Sequence, residues 1–260
     1  MSGAEAVLTL VMLEWTVGWV GAAAWTQWWG VVRRGHFRIL GWGAIALAAL
    51  ALVSLRSAAG SSGAAFTWTA VLLAAAVLYL VAQYVRTDVP GAVVGTIATV
   101  VGVGALWYTG GLLDEWSNAA VLPQLLAGAA LLGGVTNGML LGHWYLNQPG
   151  LKPWALARLT VLTLAAVATS AIAGLAAAPR LSGASTSGAV LGIPGFGDSF
   201  GLAFFLIWLA IIAFTGIVAW MARRCVAIRS IQSATGLYYV ALLTAGVSEF
   251  LVRYLMVNAT

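Results

Sequence analysis

Apolar runs of about 20 residues recur along the whole chain, broken only by short polar connectors. That pattern leaves few folds open. With 62% hydrophobic and only 7% charged residues, the chain falls far below the roughly 25% charged residues of ordinary soluble domains. The mean hydropathy of +0.98 makes lipid the solvent for most of its surface. An all-α, polytopic integral membrane protein follows, read as a single transmembrane domain over residues 1–260. The N-terminal MSGAEAVLTLVMLEW has no basic region and carries Glu5, so it reads as a retained span rather than a cleaved signal.

Runs bounded by charge, Pro or Gly/Ser clusters predict eight helices, over about 5–32, 38–56, 66–85, 90–112, 118–146, 154–178, 199–222 and 229–257. The connectors include RRGHFR, RTDVP, DEWSN, NQPGLKP and a long RLSGASTSGAVLGIPGFGDS, whose apolar centre could lie on the membrane surface or plug a cavity mouth. Odd-numbered connectors carry nine basic residues (Arg33, Arg34, Arg38, Arg86, Lys152, Arg158, Arg223, Arg224 and Arg229). The other side has three, Arg56, Arg180 and Arg253. The positive-inside bias therefore predicts both termini outside a bacterial-type inner membrane, with Asp114, Glu115 and Asp198 on the same side.

TQWWGVVRRGHFRILGW (26–42) can be laid over GHWYLNQPGLKPWALAR (142–158): each has a polar residue and two aromatics, then a basic turn. Four spans separate the two. A 4+4 parallel repeat, with halves 1–117 and 118–260, is the expectation.

Ionisable groups inside spans cost about 2.5 to 3.5 kcal/mol each on insertion scales, so each is a candidate for function. Glu14 shares a helical face with Gly18, Gly21 and Trp25, a carboxyl above two gaps that could admit a neighbouring backbone or a flat ring. In the last span Glu249 and Arg253 stand four apart, as an ion pair on one helix would, and Tyr238 falls within about 20° of Glu249 on the wheel. Glu14 and Glu249 reach similar depth, so both carboxyls could meet one arginine. One arginine cannot neutralise two carboxylates, so the three could form a proton-exchanging site, the alternative being a purely structural Glu249–Arg253 pair. Gly134, Gly138 and Gly142 form a small-residue seam for close packing of another helix, and His143 sits at its inner end. The other histidine, His36, falls on the same side in what reads as a solvated turn.

The single cysteine, Cys225, excludes an internal disulfide and any multi-cysteine metal site. No phosphate-binding loop or metalloprotease motif occurs, and the excess of basic residues is spread through loops, with no nucleic-acid footprint. Three functions stay open. The first is a membrane-integral subunit of an electron-transfer assembly, binding quinone on the Glu14 or His143 face and one haem b through His143 and His36, with Arg33, Arg34 and Arg38 near its propionates. Its partners would be the lipid bilayer and other membrane or redox subunits. The second is a proton-coupled transporter using Glu14 and Glu249, for which the acids look shallow. The third is a structural or assembly subunit. In architecture alone the chain is similar to the membrane anchors of respiratory enzymes.

Overall fold

The computed structural model describes residues 1, 3–113, 115–184 and 196–259. Asp114, the side chain of Asp198 and the central part of the long connector lie outside the described residues. Nine helices are described: α1 Ala4–Gln27, α2 Arg34–Ala59, α3 Ala64–Ala82, α4 Val89–Gly110, α5 Asn118–Trp144, α6 Trp154–Ala176, the short α7 Ala178–Leu181, α8 Phe196–Ala227 and α9 Ile231–Asn258. Eight are long and apolar enough to cross a membrane. The chain is a multi-pass helical membrane protein.

Three ends differ from expectation by four residues or more, one of them at α8, which runs to Ala227 rather than about 222. α1 stops at Gln27 rather than about 32, because Gly30, at φ 65°, turns the chain out of the helix. α2 begins at Arg34 rather than 38, and this first turn takes His36 out of the connector into the fold. Arg34 anchors it: Nε contacts Asp88 Oδ1 at 2.9 Å, and the two terminal nitrogens donate to the carbonyls of Val85 and Arg86. Gln148 ties the first connector to the fifth, donating to Val31 O at 2.8 Å and accepting from Arg33 N at 2.9 Å. At the opposite end, Trp116 Nε1 donates to Met256 O at 3.1 Å, so the last turn of α9 lies beside the start of α5.

α1 and α5 are the most enclosed helices, with most of their residues buried, whereas the other six long helices bury less than half. Their contact is a backbone contact. A β-carbon on Gly18 would collide with Ala129 O, and one on Gly133 with Gly18 O, so this crossing requires glycine on both sides. Polar bonds flank it: Trp15 Nε1 donates to Thr136 Oγ1 at 2.9 Å, and Asn137 Nδ2 to Trp19 O at 3.2 Å. The Gly134, Gly138, Gly142 seam is used differently from a single close-packed helix. Gly134 faces Thr163 of α6, while Gly138 and Gly142 receive the Tyr238 ring and Thr235 of α9.

Neighbour relations run in parallel through the chain. α1, α2, α3 and α4 form one ring of adjacent helices, and α5, α6, α8 and α9 form another in the same order. The rings meet through α1 against α5, with smaller contacts of α1 with α9 and of α4 with α5.

Candidate functional site

The most polar point of the interior is built by three helices. Glu14 is the eleventh of the 24 residues of α1, about 15 Å from the helix start. From α9, Arg253 reaches it side-on: Nε donates to Glu14 Oε1 at 2.5 Å and Nη2 to Glu14 Oε2 at 3.2 Å. Nη2 also donates to Glu249 Oε2 at 2.9 Å, one turn back on α9, and to the carbonyl of Gln124 on α5 at 2.8 Å. Nη1 faces Met256 Sδ at 2.9 Å. All three charged side chains are buried, at 0 to 2% exposure, so water screens none of these contacts.

Room for the cluster comes from Gly128 of α5. A β-carbon there would lie 2.5 Å from Glu249 Oε2 and 2.7 Å from Arg253 Nη2, and would collide with Glu14 Oε2. The two carboxyls share one nitrogen, Arg253 Nη2, which lies 3.2 Å from Glu14 Oε2 and 2.9 Å from Glu249 Oε2. With both ionised the site would carry one uncompensated negative charge, which a dry interior opposes by several kcal/mol. A proton held between them restores neutrality. Charge balance therefore favours one proton on the pair.

Beside the cluster a groove of about 440 Å³ opens between α1, α4 and α5, within the range of small-molecule sites. Gly18, Gly21 and Trp25 form its α1 wall, one turn and more from Glu14, while Thr99 and Val103 form the α4 wall. Trp25 is half exposed at the groove mouth and meets Trp29 edge to face, with ring centroids 4.8 Å apart. Thr99 supplies the hydroxyl of the lining, its Oγ1 donating to Gly95 O at 2.8 Å.

The remaining candidates are dispersed. Tyr238 is buried against Gly138, its hydroxyl 3.4 Å from Thr163 Oγ1, and is not in the Glu249 cluster. Eleven residues of α9 separate the two, about 16 Å of rise, so a shared face does not bring them together. His143 is exposed and meets Tyr239, whose hydroxyl lies 3.2 Å from Nδ1. His36 is not in a solvated turn: it is 2% exposed, packed on Phe37 and Trp144 at ring distances of 5.3 and 5.7 Å, and its Nε2 has no partner. The two histidine rings thus take different partners, and neither lines the groove. Arg33, Arg34 and Arg38 do not gather round His36: Arg34 is engaged with Asp88, and Arg38 lies over the Tyr84 ring at 4.4 Å.

Residue types alone did not single out Gly128, Gln124 or Met256, nor the reciprocal amide pair of Gln27 and Gln83, whose Nε2-to-Oε1 contacts are 2.7 and 3.2 Å. Among the described residues no group of three or more His, Cys, Asp or Glu side chains comes together to hold a metal ion. Compared with protein-family models, with curated proteins and with solved structures, the chain matches none.

Proposed function

We propose that the chain is a membrane-integral subunit of an electron-transfer assembly, one that binds a quinone in the α1–α4–α5 groove and passes its proton to the Glu14–Glu249 pair. The observation that carries this is the adjacency, one turn apart on α1, of an apolar, ring-sized groove and Glu14, which shares Arg253 with Glu249 of α9. Trp25 offers an indole for stacking, and Thr99 Oγ1, whose own proton goes to Gly95 O, is left as an acceptor for a quinol hydroxyl. Glu14, one turn from Gly18, then accepts a proton when quinol is oxidised. Electrons leave, in this proposal, to a partner subunit. Haem is left out, since neither histidine reaches the groove. In this proposal the chain lies in a bacterial-type inner membrane with both termini outside, following a basic bias of nine to two once the buried Arg253 is set aside.

The test is the quinone content of protein purified in native lipid. About one quinone per chain is expected, with loss in Val103→Phe, which fills the groove, and retention in Ile172→Phe on the lipid-facing side of α6. Equal content in all three, or none in the wild type, would refute it.

A second reading has its own support. Glu14 stands at the middle of α1 rather than near its end, and the cluster joins α1 of one four-helix ring to α5 and α9 of the other, as expected of a parallel repeat with its site between the halves. That is the layout of a proton-coupled carrier. Such a carrier would retain no quinone and would move protons in liposomes without an electron donor.

A further inference from the structure

We infer that the Glu14–Glu249 pair exchanges its proton with one aqueous side only, the side carrying both chain termini, through a vestibule whose floor is Gln124. This rests on the proton-exchanging role given to the cluster above and adds the route and the side.

The vestibule, about 810 Å³, opens at the start of α5, between α5 and the end of α6. Glu115, Ser117 and Arg180 stand at its mouth, and Ala120, Gln124 and Ala173 lie deeper. Arg180 is held there by donating to Glu115 O at 2.7 Å and by lying 5.0 Å over the Trp116 ring. This end of the structure also carries the last turn of α9, through the Trp116 bond to Met256 O.

Two features make the vestibule wet and connected. Pro123, on its wall, has no N–H to give, so the carbonyl of Ala119 lacks its usual helical donor and needs water. Gln124 then separates the cavity from the acids by a single residue. Its amide donates to Ala173 O at 2.6 Å, and its own carbonyl accepts Arg253 Nη2 at 2.8 Å, which in turn contacts Glu249 Oε2 at 2.9 Å. When the Gln124 side chain leaves Ala173, vestibule water meets the guanidinium and the carboxyls. Ser170, one turn deeper than Ala173 on α6, and Ser248, beside Glu249, each keep a buried hydroxyl without a hydrogen-bond partner.

The charged groups around the pair are Glu14 from α1 and Arg253 from α9, with Glu115 and Arg180 at the mouth; α5 adds only polar Gln124. Toward the other end, α9 buries Ala245, Ala241 and Tyr238, and the Tyr238 hydroxyl is taken up by Thr163. That face of α9 is apolar for about 16 Å, and the facing polar groups Thr136 Oγ1 and Asn137 Nδ2 are taken up by Trp15 Nε1 and Trp19 O. The reaction is simple in its balance: one carboxyl O–H breaks, the carboxylate stays beside Arg253, and the proton goes to vestibule water.

The experiment uses the full chain in lipid nanodiscs and infrared hydrogen–deuterium exchange of the protonated-carboxyl band, identified by its loss in Glu249→Gln. Because Cys225 is the single cysteine, Cys225→Ala gives a clean background for Ala120→Cys, one turn above Gln124. Ala120→Cys is expected to react with a charged, membrane-impermeant thiosulfonate, and the adduct to slow exchange about tenfold or more. Leu8→Cys, on a lipid-facing wall, should not react. An inert Ala120→Cys, or an adduct that exchanges at the unmodified rate, overturns the vestibule route while leaving the quinone content of the same sample as a separate readout. Absence of any protonated-carboxyl band overturns the route and the proton-acceptor role of Glu14 together.

Discussion

Glu14 and Arg253 lie 239 residues apart and meet in a two-point ion pair, Nε to Oε1 at 2.5 Å and Nη2 to Oε2 at 3.2 Å, while Glu249 holds the same guanidinium at one point only. The two acids are therefore not equivalent. Removing Glu249 leaves one carboxylate against one guanidinium, a balanced pair. Removing Glu14 leaves Arg253 with its weaker partner. Glu14→Gln is expected to lower stability by about 1 to 3 kcal/mol, because it loses the charge-assisted two-point contact while Glu249 still balances the guanidinium. Glu249→Gln should change it by about 1 kcal/mol or less. Unfolding in detergent, followed by loss of the monodisperse chromatographic peak, checks the order. Equal losses would contradict the pairing.

Replacing the whole cluster separates stability from function. Glu14→Leu, Glu249→Leu and Arg253→Met combined should fold about as well as the wild type, because apolar groups of similar volume often substitute for a buried ion network without loss. The same triple variant should fail to support electron transfer in its host. A fully active triple variant would leave only a structural role for these residues.

Gly128 and Gly236 form a matched pair of tests. A methyl group at Gly128 has no room among Glu14, Glu249 and Arg253, whereas Gly236 has nothing within 4 Å of a β-carbon. Gly128→Ala should break the cluster and lower the melting temperature markedly. Gly236→Ala should be neutral or add up to about 1 kcal/mol from helix propensity. Similar melting curves for both would show that the cluster does not depend on that space.

His36 and His143 exchange rank between sequence and structure. Sequence alone favours His143 for a ligand role, yet it is exposed, while His36 is buried with an unpartnered Nε2. His36→Ala should cost about 2 to 3 kcal/mol through lost packing against Phe37 and Trp144. His36→Phe should be as stable as the wild type or more so, because it removes a buried polar atom without a partner. His143→Ala should alter stability by less than about 0.5 kcal/mol. Thermal shifts of the three purified variants decide it.

The spans were legible because apolar length and the charged gaps between them are local properties. The pairing of Glu249 with Arg253 was legible for the same reason, since four residues on one helix make neighbours. The approach of Glu14 was only suggested by matched depth: which helix stands beside which is not written in any one segment. Gly128 was invisible in its run of LLAGAALLGG, where one glycine among small residues gains meaning only from the side chains that other helices bring to it. His36 was misplaced because Arg33, Arg34 and Arg38 mark RRGHFR as solvated. The structure satisfies Arg34 on the third connector, and the helix starts early enough to turn the imidazole inward. Tyr238 shows the converse error, a shared helical face taken for proximity.

The most direct measurement is photolabelling of the protein in native lipid with an azidoquinone, followed by peptide mapping. Labels should fall on the groove walls, at residues 17–25, 99–103 or 126–130, and decline when Val103→Phe fills the groove. Labels spread over the lipid-facing helices, unchanged in Val103→Phe, would contradict a quinone site beside Glu14.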